Sequence, residues 1–481
     1  MPQRRPRHLD PAGGSGDADP GEAPGAAFGG GTRAHGAARG PRRGDPVRGV
    51  AAGAHLRQRA HHQPDLEPLL HRRPRNAQGL ILLRVTLPFL AGYFLSYNYR
   101  AINALLGPLL AEEFALSAAE LGFLTSVYFL AFGAFQIPLG VLLDRFGPRR
   151  VNASLLLVAA CGALLFATGQ SYAELVTGRA LIGVGVSGCL MASFQAWVLW
   201  HPPERIAMLN GIAFATGGLG AISASVPLEL LLRLLGWRDI FLILVGFNFA
   251  VVALLAVVVP ERAQTRRGES LAESLAGVGR ILVDAAFWRV GLALFGLQAA
   301  VGSLLTLWMA TWLRDVAGYS RAEVGQMLLF ANLALIAGFL GYGRAADALA
   351  RHGRSAFPLF AGGIGCAAAC LAPLALGVTV AAPLLWMLFV GCGTVGSLAY
   401  SILTRRYPRD MAGRVNATLN IFTFSGAFLG QWGVGLVIGR WPQSAAGYDP
   451  QAYSYAFGLL WLAILAGLAW LWSGRRLFAN A

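Results

Sequence analysis

GVLLDRFGPRR, residues 140–150, sets four charges and a Gly-Pro pair between two long apolar runs. The run before it covers about 119–142 and the run after it about 151–169. About 20 apolar residues in helical form cross a ~30 Å hydrocarbon core. Arginines stay where water reaches them. The stretch therefore reads as a short loop between two membrane-crossing helices, held at one membrane face.

The same pattern recurs along the chain. Apolar helices are expected at about 81–109, 119–142, 151–169, 173–199, 207–232, 239–259, 288–313, 322–343, 356–376, 380–403, 415–438 and 454–473. Of 481 residues, 56% are hydrophobic and 13% charged, about half the charged share of a soluble domain. The fold class is an all-α polytopic membrane protein with twelve spans. The formal net charge of +15 does not imply nucleic acid: all the basic residues are arginines, and most outside the first 78 residues lie in short loops. The five cysteines fall inside apolar runs and read as packing residues, with no metal or disulfide role.

Residues 1–78 are rich in Gly, Ala, Arg and Pro and show no apolar periodicity. They lack the apolar core of a signal peptide and the Ser-rich, acid-poor make-up of a transit peptide. They read as a disordered tail or as a start placed upstream of the true one. The next segments are a bundle at 79–259, a linker at 260–287, a second bundle at 288–473 and a short C-terminus at 474–481. Leu271, Leu275, Val278 and Leu282 recur at helical spacing within the linker, as in an interfacial helix.

Twelve spans place both termini on one side. Loops on that side carry Arg145, Arg149, Arg150, Arg205, Arg262, Arg266, Arg267, Arg280, Arg289, Arg344, Arg351, Arg354, Arg405, Arg406, Arg409 and Arg414. Opposite loops carry Arg233, Arg238, Arg314, Arg321 and Arg440. The positive-inside rule makes the termini cytoplasmic and the location an inner membrane.

The two bundles resemble each other. Gly183-x-Gly185-x-x-Gly188 and Gly391-x-Gly393-x-x-Gly396 lie 208 residues apart; Leu209-Asn210 and Leu419-Asn420 lie 210 apart. Two pseudo-symmetric six-helix halves put a substrate site near midplane between them. GxGxxG inside a spanning helix has no strand before it, so a dinucleotide site is excluded; small residues there let helices approach.

One charge stands where the pattern forbids it. Arg100 is 16 residues from Arg84, so about 24 Å along the axis, and about 18 Å from Glu112. A mid-membrane Arg costs about 2.5–3.5 kcal/mol on insertion scales and marks a site. Tyr93, Ser96, Tyr97 and Asn103 share its helix face. Glu229 is the single carboxylate well inside an apolar run. Without a fixed counter-charge, an anionic substrate is the natural partner, held bidentately. Tyr97, Arg100 and Asn103 are candidate substrate ligands. The opposite wall is expected from Gln298, Trp308, Thr311 and Trp312 of span seven and from Tyr400, Asn420 and Gln431.

GVLLDRFGPRR resembles the G-x-x-x-D-R-x-G-R-R signature of the major facilitator superfamily. Leu175-x-x-x-Arg179-x-x-x-Gly183-x-Gly185 in span four is similar to a second family motif. The resemblance implies alternating access and secondary transport, with Gly140, Asp144, Arg145, Arg149 and the second-copy Asp347 as gating residues. It implies that Asp144 meets the opposite half around span eleven, near Arg414. Arg179 corresponds to a residue tied to coupling in proton-coupled members, and Glu229 joins it as a coupling candidate. Ser96-Tyr97-Asn98-Tyr99-Arg100 resembles the N-Y-x-D-R of the anion:cation symporter branch, with Tyr99 where that branch has Asp. The branch carries sugar acids, organophosphates and other organic anions. The function implied is uptake of such an anion with H⁺, by a monomer in the bilayer and without a cofactor. Efflux of a drug or metabolite is the alternative, weakened because span five lacks a Gly-Pro pair. No catalytic cluster of Ser, His and Asp and no HExxH motif occurs, so an enzyme is not expected.

Overall fold

The computed structural model describes residues 81–261, 271–408, 411–442 and 447–478. The 1–78 segment and part of the 260–287 linker lie outside the described residues. Among the described residues, eighteen α-helices run in chain order. The first three are α1 Leu87–Ala101, preceded by a π-helical turn Leu82–Thr86, α2 Asn103–Glu113 and α3 Ala118–Ala134. They are followed by α4 Gln136–Thr168, α5 Tyr172–Val186, α6 Cys189–Trp200, α7 Pro203–Ser223, α8 Val226–Leu231 and α9 Trp237–Ala253. Beyond the linker helix α10 Leu271–Leu282 come α11 Ala285–Ser303, α12 Met309–Asp315, α13 Arg321–Arg351, α14 Phe357–Ala375 and α15 Ala382–Gly393. Last are α16 Ser397–Thr404, α17 Ala412–Ile438 and α18 Pro450–Ser473.

Among the described residues, ten helices are long and apolar enough to cross a membrane, and Ala118–Ala134 is a shorter apolar one. The rod of α1 and α2, continuous in backbone through Ile102, adds a further apolar run. The chain is a multi-pass membrane protein.

The opening stretch folds as a one-residue turn. The helix continues past Asp144 to Phe146, and Gly147 breaks it at φ 80°, ψ 161°. Side-chain-bearing residues avoid that region. Pro148 then begins the next rod, where its missing N–H costs nothing. At the opposite end, Ser117, Ser171 and Ser320 each cap a helix and exchange hydrogen bonds with Glu120, Glu174 and Glu323.

Small residues set how closely the helices approach. A Cβ on Gly183 would lie 2.4 Å from the Tyr128 carbonyl oxygen, and one on Gly185 would lie 2.3 Å from the Ala159 nitrogen. The GxGxxG stretch of span four is a packing seam, as its place inside an apolar run suggests. Gly430 does the same on α17, where a Cβ would lie 2.1 Å from the Ala299 oxygen.

Candidate substrate cavity

Arg100 sits in the last turn of α1, whose backbone runs on through Ile102 into α2. Its guanidinium carbon lies 4.7 Å from the ring centre of Tyr97, 5.4 Å from Phe132 and 5.3 Å from Phe424. Phe132 and Phe424 come from α3 and α17, so aromatic faces from three helices surround one cation. Nε is buried and has no hydrogen-bond partner. None of the ion pairs among the described residues involves Arg100. Glu229, the carboxylate the sequence left available, is taken: both of its oxygens accept from Nε of Arg233, at 3.1 and 3.0 Å.

The guanidinium faces a cavity of about 400 Å³. Arg100, Tyr97, Gln298 and Asn420 line it together. Tyr400 donates to Asn420 Oδ1 at 2.5 Å, and Asn420 Nδ2 donates to Gln136 Oε1 at 3.1 Å. Asn420 therefore reaches the cavity as the middle of a chain linking α16, α17 and α4. Five expected wall residues, Asn103, Trp308, Thr311, Trp312 and Gln431, lie elsewhere. Asn103 is 2% exposed and off the cavity wall, because it lies at the margin of the helical stripe on which Tyr93, Tyr97, Arg100 and Ala104 line the cavity. Trp308 is fully buried and donates its indole N–H to the Gln431 carbonyl at 2.9 Å. Thr311 and Trp312 are buried off the wall as well. Sequence reasoning missed Gln136, Asn332 and Asn416 on the wall. Each is a lone amide in an apolar run, a signal that was present but not used.

One end of the cavity is closed. Gln431 Oε1 accepts from Thr306 at 2.8 Å, and Gln431 Nε2 donates to Thr125. With Trp308 on its carbonyl, Gln431 ties α3, α17 and the π-helical turn Leu304–Trp308 together. Toward the Arg-rich end, Phe214 of α7 stacks on Phe339 of α13 at 6.3 Å, and both line the cavity.

The expected gating and coupling residues lie off the wall. Asp144 accepts from Gln195 Nε2 of α6 at 3.3 Å. Arg149 and Arg150 are engaged by Glu261, and Arg149 also donates to the Ala256 carbonyl. The basic pair thus anchors the turn to the end of the α9 rod. Arg414 packs against the linker helix, where a Cβ on Gly277 would lie 2.5 Å from its Cδ. Arg145 lies over Phe146 at 5.3 Å. Asp347 is exposed, and a Cβ on Gly140 would meet nothing within 4 Å. Arg179 is buried, donates to the Tyr99 carbonyl at 3.1 Å and lies over Tyr128 at 5.1 Å. Outside the spans, Asp284 caps α11. Burial pushes its carboxyl up, but the Ala286 N–H, the Tyr407 hydroxyl and Arg406 outweigh that and hold it below its usual range.

A family model of the Major Facilitator Superfamily matches residues 89–431. A protein named as a probable sulfoacetate transporter of Cupriavidus necator is 26% identical over 263 residues, covering 52% of this chain and 60% of that one. The hexuronate transporter of Escherichia coli K12 is 24% identical over 286 residues, covering 55% of this chain and 65% of that one. The chain therefore spans less than two thirds of these relatives. Among solved structures, an inward-facing, unoccupied bacterial homologue of the lysosomal transporter Spinster matches with a TM-score of 0.66 at 17% identity, over 85% of this chain and 98% of that one. A D-xylose–proton symporter matches with a TM-score of 0.63 at 17% identity, over 81% and 97%. These two likenesses concern the fold alone.

Proposed function

The chain belongs to the Major Facilitator Superfamily, and on that premise we propose that it is a secondary active transporter of a small organic anion, working by alternating access. The superfamily and the relatives named above are transporters, not enzymes. The observation that carries the anion reading is Arg100: a guanidinium on a cavity wall, framed by three rings, with no carboxylate paired to it among the described residues. A sugar acid, carboxylate or organophosphate supplies the missing charge. The sulfoacetate and hexuronate transporters support that substrate range and the likeness to the anion:cation symporter branch.

The finer proposal is twelve spans in two six-helix halves, 79–259 and 288–473, joined by the 260–287 linker. The protein is proposed to act as a monomer in the inner membrane with both termini cytoplasmic, on the strength of the arginine asymmetry. Uptake is the proposed direction. An anion entering against an inside-negative potential costs about 2.3 kcal/mol per charge per 100 mV. Net uptake therefore needs a co-ion, for which H⁺ is proposed. Arg179 and Glu229 are the proposed coupling residues, acting through the wall; Gly140, Asp144, Arg145, Arg149 and Asp347 are the proposed gate. Efflux is the second reading.

The test is uptake of labelled hexuronate and sulfoacetate into proteoliposomes, with and without an inward H⁺ gradient. Arg100→Ala should insert and fold, since it removes a buried charge. It should lose roughly 30-fold or more in anion affinity, the usual cost of about 2–5 kcal/mol for a desolvated charge pair. A folded Arg100→Ala protein that transports normally sinks the anion reading.

A further inference from the structure

Resting on the reading of Arg100 as the anion site, we infer that the preferred substrate is an aryl monocarboxylate, one carboxylate on an aromatic body. It ranks ahead of a hydroxyl-rich acid such as hexuronate and of a doubly charged one such as sulfoacetate.

Charge on the wall is single. Among the described residues lining the cavity, Arg100 is the one arginine and there is no His, and the chain has no lysine. A second anionic group would leave water for a space that offers it no cation. Neutral polarity on the wall is mostly spent. Its serine and threonine hydroxyls are Ser96, Ser187, Thr306, Thr394, Ser397 and Thr423. Each donates to a main-chain carbonyl, at 2.6–3.4 Å. A hydroxyl has one proton to give, so none is left for an oxygen of the substrate. Tyr400 is spent on Asn420, and Gln136, Asn332 and Asn420 donate to Phe132, Leu328 and Gln136. Of the wall amides, Gln298 and Asn416 stay open, and Asn416 Oδ1 is buried without a partner. Tyr93 and Tyr97 add hydroxyls on the helix face of Arg100 itself. Such a set holds one carboxylate and leaves a ring of hydroxyls short of partners.

The rest of the wall suits an aromatic body. Its phenylalanines fall into two groups. Phe129, Phe132 and Phe424 pack beside Arg100, with ring centres 6.3 and 4.2 Å from that of Phe424. Phe194, Phe214 and Phe339 form the other toward the Arg-rich end, joined at 6.0 and 6.3 Å. An acid with its carboxylate on Arg100 sets its ring against these faces, edge to face or offset. At about 400 Å³ the cavity has room for a single-ring acid. A hydroxyl-rich acid loses water there that the rings do not replace. A monoanion entering with one H⁺ also moves no net charge, in keeping with the proposed co-ion.

The experiment is isothermal titration calorimetry on the purified protein in detergent, with phenylpropionate, phenylsuccinate, hexuronate and sulfoacetate. Phenylsuccinate is phenylpropionate with one more carboxylate. Phenylpropionate should bind roughly tenfold or more tightly than each of the others, equivalent to about 1.4 kcal/mol. Arg100→Ala should lose its binding. Phe194→Asn brings an open amide to the second group and should narrow the preference for phenylpropionate over hexuronate. If Phe194→Asn does not fold, Met191→Gln on the same helix serves the same purpose. Any of the other three anions binding as tightly as phenylpropionate, and lost with Arg100→Ala, would overturn the inference and leave the anion site standing. So would an unchanged preference in a folded Phe194→Asn or Met191→Gln protein. Binding of none of the four, or binding that survives in a folded Arg100→Ala protein, would sink the anion site and the inference together.

Discussion

Charge and geometry at Arg100 can be separated by one substitution. Arg100→Lys keeps the positive charge but loses the planar fork that grips a carboxylate or phosphate at two points. It also loses the flat face that lies against Tyr97, Phe132 and Phe424. Affinity for a labelled anion, measured by equilibrium binding in detergent, should fall clearly below wild type. A lysine variant with wild-type affinity would mean that only charge matters. The position of Arg100 was legible because a charge 24 Å or so from one anchor cannot reach water along its own helix. The rest of its wall was less legible. Asn103 falls at the edge of the helical stripe that Tyr97, Arg100 and Ala104 present to the cavity, and it is buried beside it. Trp308 looks like an aromatic ligand in sequence, yet its N–H is spent on a backbone carbonyl. Helical periodicity reports a face but not where the cavity's rim falls on it.

At the scale of the element, the turn at 140–150 contains two glycines that the sequence pattern treats alike and the structure separates. Gly147 has φ 80° and ψ 161°, a conformation only glycine holds without strain, whereas a Cβ on Gly140 would enter open space. Gly147→Ala should therefore cost about 1–3 kcal/mol of stability. Gly140→Ala should leave stability unchanged or raise it by at most about 1 kcal/mol, since alanine suits a helix interior better. Thermal unfolding of the two variants in the same detergent checks the contrast. Equal loss from both would mean that backbone strain is not what the turn demands. The same turn shows how partners escape sequence reading. The charges were legible as a cluster, but Arg149 and Arg150 find Glu261 more than a hundred residues away, while Asp144 accepts from Gln195. Such pairings depend on which rods pack side by side, and no local spacing encodes that.

For the whole molecule, the closed end of the cavity rests on Gln431, which ties α17 to Thr125 of α3 and to Thr306 and Trp308. If alternating access is the motion, these side-chain bonds exist on one side of the equilibrium only. Gln431→Leu keeps the bulk but removes the Thr125 and Thr306 bonds; the Trp308 bond is to backbone and remains. Two buried hydrogen bonds are worth about 0.5–1.5 kcal/mol each. Their loss should shift the equilibrium toward opening at that end by roughly 5- to 150-fold, at 1.4 kcal/mol per factor of ten. The affinity of the Arg100 site should change far less, because Gln431 does not line the cavity. Asp144→Asn works from the other end. It weakens a charged contact at the Arg-rich turn and should lower transport rate more than equilibrium affinity. The measurement is modification of Ala118→Cys, which packs against Gly435, by a membrane-impermeant maleimide in a protein whose five native cysteines are replaced by alanine. Labelling at that face should rise in Gln431→Leu and not in Asp144→Asn, whereas transport should fall in both. Unchanged labelling in a folded Gln431→Leu protein would mean that helix packing alone, through contacts such as Gly435 on Ala118, holds that end shut.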